Sequence, residues 1–298
     1  MRIAYFSGPN AIFFYFCVLL KFSSTFGNRD GKIFNGHLTG AANTKHQVSL
    51  REKVMDEFYF GLGFACGGSL ISSNGVLTAA HCLRDSFNNP INASEMVVAM
   101  GNLVKNVRDN DTLVFNISKY VSHPNYNRTT ITFDIAYILL DGKVPTGHPT
   151  IQPISLVDAR MPVDTICEVT GWGYTEEEAP SDNLLAVDVR IIDINVCNQG
   201  YEGILKITGQ LCAGYMSGQK DACSGDSGGP LVCDGKLTGI VSFGVGCGTE
   251  NKPGIYTDVL YYRDWIHEVG GSGNHSSSNS VLLLLVTLLI SIFKFFIK

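Results

Sequence analysis

From Lys32 to Gly270 the chain is a succession of short apolar or alternating runs cut by turn residues, with no linker, repeat or low-complexity break. Gly67–Ile71, Met96–Met100, Ile135–Leu140, Cys167–Gly171, Ala186–Ile191, Leu231–Cys233 and Leu237–Phe243 all have this character. Spacing of this kind predicts an all-β barrel or sandwich. The 32 glycines against 10 prolines fit the many tight turns such a fold needs. Only Tyr261–Val269 has a helical pattern, with Trp265 and Val269 four apart on one face.

At 298 residues the chain is long enough for a large buried core. Hydrophobic residues at 45% against 16% charged exclude disorder for the bulk of it. The 22 basic and 27 acidic residues leave a net charge of −5, with no like-charge block longer than Glu176–Glu178. Binding a phosphate backbone needs a clustered positive field, so no nucleic acid is expected as a partner.

The ends indicate a compartment. Arg2 precedes the apolar run Ala11–Leu20, which is followed by Lys21 and the small or polar Ser23, Ser24 and Thr25. This is the layout of a secretory signal peptide, placed at residues 1–26, and the run is too short to span a bilayer. Its removal takes Cys17 and leaves eight of the nine cysteines, an even number suited to an oxidising compartment. Five Asn-x-Ser/Thr triplets at Asn92, Asn110, Asn116, Asn127 and Asn274 fit export, four of them within one stretch. At the other end a polar linker over 271–280 leads to an apolar tail over 281–298. Small residues, polar spacer and terminal apolar segment match a GPI-attachment signal, with Ser272 as the attachment residue. A short membrane span is the rival: its uncharged run, Val281–Phe293, is too short for a bilayer, while Lys294 and Lys298 interrupt the end that an attachment signal keeps apolar.

Three segments carry chemistry. Ala79-Ala80-His81-Cys82 offers an imidazole beside a cysteine, although a lone His is more often structural. Phe133-Asp134-Ile135-Ala136 places a carboxylate at the head of an apolar run, where a buried anion needs a partner. Gly225-Asp226-Ser227-Gly228-Gly229-Pro230 flanks a serine with glycines that let backbone amides approach a ligand. Taken together, the three segments resemble the chymotrypsin/trypsin family of serine proteases over about residues 33–269, in the family's order His, Asp, Ser.

That resemblance implies two packed six-stranded antiparallel β-barrels, over about 33–145 and 146–258, and a C-terminal helix over about 259–269. It implies Ser227 as nucleophile, His81 as general base and acid, and Asp134 as the group orienting the imidazole, each worth about 10⁴-fold or more in turnover. The amides of Gly225 and Ser227 would form the oxyanion hole. Asp221 would sit at the floor of the primary pocket and favour Arg or Lys, with Gly244 and Gly254 as walls and Ser242 bonding an extended substrate. Phe243 stands where the family usually has Trp.

Lys32-Ile33-Phe34-Asn35-Gly36 resembles the family's activation site. Residues 27–32 would then be a propeptide, cleaved after Lys32 so that the Ile33 amine pairs with Asp226. The implied disulfides are Cys66–Cys82, Cys167–Cys233, Cys197–Cys212 and Cys223–Cys247, a pairing that spacing alone cannot choose. Zinc, the competing use of Cys and His, lacks any Cys-x-x-Cys pair. In the loop Asn102–Asp111, where some relatives bind calcium, Asn102 replaces an acidic ligand, so neither metal nor cofactor is expected. Expected partners are proteins or peptides with Arg or Lys at the cleavage point, protein protease inhibitors, and a membrane through the C-terminal tail. The alternatives are a catalytically silent surface-binding relative and a protease of chymotrypsin-like preference, which Asp221 opposes.

Overall fold

The computed structural model describes residues 36–271 except 176, 178, 206 and 207. The expected signal segment, the expected propeptide with Lys32 and Ile33, Ser272, Asn274 and the apolar tail lie outside the described residues. Among the described residues no helix is long and apolar enough to cross a membrane.

The first barrel closes through six antiparallel strands in the order β2 (Gln47–Glu52), β3 (Phe64–Leu70), β4 (Gly75–Thr78), β7 (Ala136–Leu140), β6 (Leu113–Ser122) and β5 (Met96–Met100). Val48, Leu50, Leu70, Leu77, Val98 and Ile138 fill its interior. The second is the ring β8 (Ile166–Gly171), β9 (Leu185–Ile192), β10 (Gln210–Gly214), β13 (Gly254–Asp258), β12 (Lys236–Phe243) and β11 (Pro230–Cys233), closed by β8–β9. Val169, Leu185, Val187, Val189, Leu231 and Tyr256 fill it. Closure leaves neither ring with an open edge for stray pairing.

The halves do not divide strictly by sequence. β1 (His37–Leu38) pairs with β9, so the head of the chain joins the second barrel and not the first, which was expected to begin at about residue 33. At the other end α3 covers Arg263–Gly271, starting later than the expected 259 because Leu260 and Tyr261 are held in a turn by amide bonds to the Asp258 carboxylate. Ile266 and Tyr262 of this last segment pack with the core of the first barrel, so each terminal segment packs on the barrel the other end of the chain builds. Two further helices have no signal in the apolar pattern: α1 (Lys53–Phe58) and α2 (Ile194–Gly200), the latter capped by the Asp193 carboxylate, which accepts from Asn195 N and Val196 N.

The structure forms the disulfides Cys66–Cys82, Cys167–Cys233, Cys197–Cys212 and Cys223–Cys247. Two buried bonds knit the barrels: Thr170 Oγ1 donates to Gln47 Oε1 at 2.7 Å, and Gly67 N donates to the carbonyl of Ser227 at 2.8 Å. The seam between the barrels is where the three motifs meet.

Candidate active site

His81 sits in a single 3₁₀ turn, Ala80–Leu83, directly after β4, and the disulfide from Cys82 to Cys66 ties that turn to β3. Asp134 lies just ahead of β7 and is 2% exposed. The two are joined twice: His81 N donates to Asp134 Oδ1 at 2.9 Å and His81 Nδ1 to Oδ2 at 2.8 Å. The buried carboxylate is thereby paired, as its position at the head of an apolar run requires. A proton on Nδ1 leaves a lone pair on Nε2, whose 3.8 Å approach to Cys82 Sγ is a van der Waals contact because a disulfide sulfur has no proton to give. Burial disfavours a charge on His81, but the Asp134 charge and hydrogen bond outweigh it, so the imidazole's pKa is raised.

Two further groups hold Asp134: Thr257, which nothing in the sequence marks, and Ser242, which was expected only to bond an extended substrate. Ser242 Oγ donates to Oδ2 at 2.6 Å, and Thr257 Oγ1 donates to the Asp134 carbonyl at 2.7 Å. Ser242 stands at a break in the β12–β13 register, between Val241 and Phe243, and bulges of this kind re-aim side chains.

Ser227 lies in the turn before β11. Gly225 and Gly228 have φ of +95° and +77°, a region that glycine enters without strain. A Cβ on Gly228 would come within 3.2 Å of Cys82 Sγ and collide with Thr78, so the absent side chain is what seats the serine turn against the His81 disulfide. Among the described residues no hydrogen bond joins Ser227 Oγ to His81 Nε2, and neither Gly225 N nor Ser227 N donates to another group. A pair of free amides beside a hydroxyl can receive a developing oxyanion.

Asp226 is fully buried next to that hydroxyl, accepting from Gly173 N at 2.8 Å and Cys223 N at 2.9 Å. A Cβ on Gly171 or Gly173 would strike its carboxylate. Burial pushes the carboxyl up to about 6, and the two amides offset only part of that. Among the described residues no cation pairs with it.

Behind Ser227 a cavity of about 260 Å³ runs between Ala222–Ser224 and Phe243–Gly246. Asp221 forms its floor, 2% exposed, with Oδ2 accepting from Gly248 N at 3.1 Å. Among the described residues its Oδ1 is buried without a partner, and so is the hydroxyl of Tyr256, which also lines the cavity. Burial drives the Asp221 carboxyl up to about 7, eased by the amides of Gly248 and Ala222 and raised further by Asp226. A Cβ on Gly254 would stand 2.8 Å from Asp221 Oδ1, whereas one on Gly244 would meet only Gly246 O at 3.6 Å. Gly254 therefore keeps the carboxylate reachable, and Gly244 lies open on the cavity rim. Phe243 turns its ring edge-on to Tyr201 at 6.4 Å. The cavity is framed by Cys223–Cys247, and an unsatisfied anionic oxygen at its end suits a cationic side chain.

Cys66, His81 and Cys82 come close enough to hold a metal, but both sulfurs are spent in one disulfide and offer no thiolate. In the loop Asn102–Asp111 the Asn102 amide donates to the Val107 carbonyl and to Asp109 Oδ2, closing the loop on its own oxygens. Asn92, Asn110, Asn116 and Asn127 are all exposed.

A protein-family model described as Trypsin matches residues 33–266. Trypsin-1 of Salmo salar is 36% identical over 249 residues, covering 83% of this chain and 95% of its own. Trypsin eta of Drosophila melanogaster is 36% identical over 250 residues, covering 83% and 92%. Trypsin of Sus scrofa is 36% identical over 242 residues, covering 80% and 96%.

Proposed function

The chain belongs to the trypsin family of serine endopeptidases, and from that premise we propose that it cleaves polypeptides after Arg or Lys once it has itself been cut between Lys32 and Ile33. The observation that carries the specificity is the buried, partnerless Oδ1 of Asp221 at the end of a cavity opening beside Ser227. A guanidinium or ammonium entering there gains a charge-assisted pair and relieves an uncompensated oxygen, whereas an aromatic ring would leave it orphaned.

In this reading His81 Nε2 takes the Ser227 proton as Oγ attacks the scissile carbonyl. Asp134 holds the imidazole in the Nδ1–H tautomer and stabilises its cation. The amides of Gly225 and Ser227 bind the oxyanion, and His81 returns the proton to the departing amine. Activation follows from Asp226. Among the described residues its buried carboxylate has two amides and no cation, so a newly formed Ile33 ammonium supplies the charge it lacks. Lys32 suits the Asp221 pocket, which makes self-activation part of the proposal.

The chain is exported on its N-terminal signal and held at the cell surface through attachment at Ser272. The eight disulfide-bonded cysteines and the exposed sequons support an oxidising, glycosylating route. Profiling the protein cleaved after Lys32 with Arg, Lys and Phe peptide anilides tests the specificity. Arg and Lys turnover well above Phe, abolished by Ser227→Ala, is the expected result, and Phe turnover equal to Arg would overturn it. A Ser227→Ala chain that is still cut after Lys32 when expressed alone excludes self-activation. Release from cells by a phosphatidylinositol-specific lipase tests the anchor.

A further inference from the structure

The loop between β5 and β6 reaches across to the second barrel, and Lys105 is the side chain that reaches. Lysines ordinarily keep the ammonium in water, but this residue is 9% exposed. Its Nζ donates to the Ser181 carbonyl at 2.6 Å, stands 3.3 Å from Asp182 Oδ1 and lies 5.8 Å from the centre of the Phe64 ring. The Asp182 side chain is 59% exposed, so water screens that pair and the carbonyl bond carries more. An ammonium drawn out of water needs its fixed partners, so Lys105 favours one placement of Ser181 over others.

The backbone repeats the grip. Lys105 N donates to the Asp182 carbonyl at 2.9 Å, Leu184 N to the Leu103 carbonyl at 2.6 Å, and Trp172 Nε1 to the same Leu103 carbonyl at 3.0 Å. Residues 103–105 thus hold both ends of the connection from β8 to β9. They are anchored in turn by Arg51, whose Nη2 donates to the Lys105 carbonyl at 2.9 Å while Nη1 pairs with the buried Asp56.

What the grip holds is the back of the serine turn. Ser181 N donates to the Gly173 carbonyl at 3.1 Å, and Tyr174 bridges to Pro180. Gly173 N in turn donates to Asp226 Oδ1 at 2.8 Å, and Tyr174 N donates to the Ser224 carbonyl at 2.8 Å. A Cβ on Gly225 would stand 3.0 Å from Gly173 Cα, so this stem and the turn that carries the Gly225 amide touch backbone to backbone. From Lys105 to Asp226 every link is a hydrogen bond or a covalent step.

We propose that Lys105 is a positioning residue for activation: by fixing Ser181 it stabilises the placement of Gly173 and Tyr174 that readies Asp226 and the Gly225 amide, and so favours insertion of the Ile33 amine. This rests on the reading that cleavage after Lys32 frees an amine that pairs with Asp226, and it places part of the control of that step in the first barrel. The coupling is reciprocal, so insertion must tighten the hold on Lys105 by the same factor.

The test uses the full chain cleaved after Lys32. Cyanate carbamylates an amine only while it is free in water, and mass spectrometry of the N-terminal peptide follows the reaction at Ile33. In Lys105→Met the Ile33 amine should react about tenfold faster than in the unaltered protein, the worth of one hydrogen bond from a charged group. A variant that is less heat-stable but reacts at the unaltered rate would make Lys105 a tie for stability alone and overturn the proposal. The second measurement needs no variant: acetylation of Lys105 by an N-hydroxysuccinimide ester should be about tenfold slower after cleavage than before it. Equal rates before and after cleavage overturn the proposal even if Lys105→Met fails to fold. An Ile33 amine of the unaltered cleaved protein that reacts as fast as that of a free Ile-Phe peptide would remove the activation reading itself, and this proposal with it.

Discussion

Ser242 Oγ donates a 2.6 Å hydrogen bond to Oδ2 of Asp134, the same oxygen that receives His81 Nδ1–H at 2.8 Å. A strand of the second barrel thus helps to set the charge that the first barrel presents to its imidazole.

Removing that hydroxyl should leave Asp134 Oδ2 to His81 alone and hold the imidazolium more tightly. His81 is already raised, and it must be neutral to accept the serine proton, so activity is gained as pH climbs through its pKa. In Ser242→Ala the acid limb of the kcat/KM profile should move to higher pH, with about tenfold lower kcat/KM at the optimum from the lost bond to a charged group. An unmoved limb would show that Ser242 does not tune the pair.

Asp221 has its carboxyl pushed up to about 7 by burial, so in the empty cavity it loses its charge as pH falls through that value. The inhibition constant of a simple amidine such as benzamidine should weaken roughly tenfold for each pH unit below about 7. In Asp221→Ser the inhibition should be weak and independent of pH. Inhibition that stays constant down to pH 5 in the unaltered enzyme would contradict the assignment.

Asp226 should give an opposite, alkaline limb. The Ile33 α-amine, once paired with it, should have a pKa above the free value of about 8, so the active conformation is favoured below that pKa and lost as pH rises through it. Asp226→Asn should remove the pair and, at about 4 kcal/mol for breaking a buried ion pair, cost about 10³-fold in activity. Activity of the native enzyme that stays flat into strongly alkaline solution would exclude the pairing.

Arg51→Met leaves the Asp56 carboxylate buried with its ion pair gone. Such a loss should cost about 3 kcal/mol and lower Tm by about 9 °C in scanning calorimetry. Adding Asp56→Leu should restore most of it, because two apolar groups replace two charges. A double variant no more stable than the single one would show that the ion pair is not the anchor of α1.

Much of this molecule can be read along the chain. The short apolar runs between glycines specify an all-β fold because a strand's period and length are local properties, whereas its division into two barrels was implied only by the family resemblance. The string Gly225–Pro230 marks its serine because left-handed glycines and a free hydroxyl are also local requirements. Other features depend on residues far apart. Ser242 and Asp134 are 108 positions apart, and no pattern in either segment announces the bond between them, which forms at the break in the β12–β13 register. Likewise β1 leaves the first half for β9, and a six-residue helix escapes notice because its periodicity is too brief to register. Nor does any local pattern show that in α1 the charged Asp56 is buried on Arg51 while Val54, Met55 and Phe58 stay exposed. Sequence alone therefore determined the all-β class, about half of the strands and the three motifs that carry the candidate reacting side chains. Tertiary structure decided which distant groups solvate each charge, since desolvation and hydrogen bonding act through space and not along the backbone.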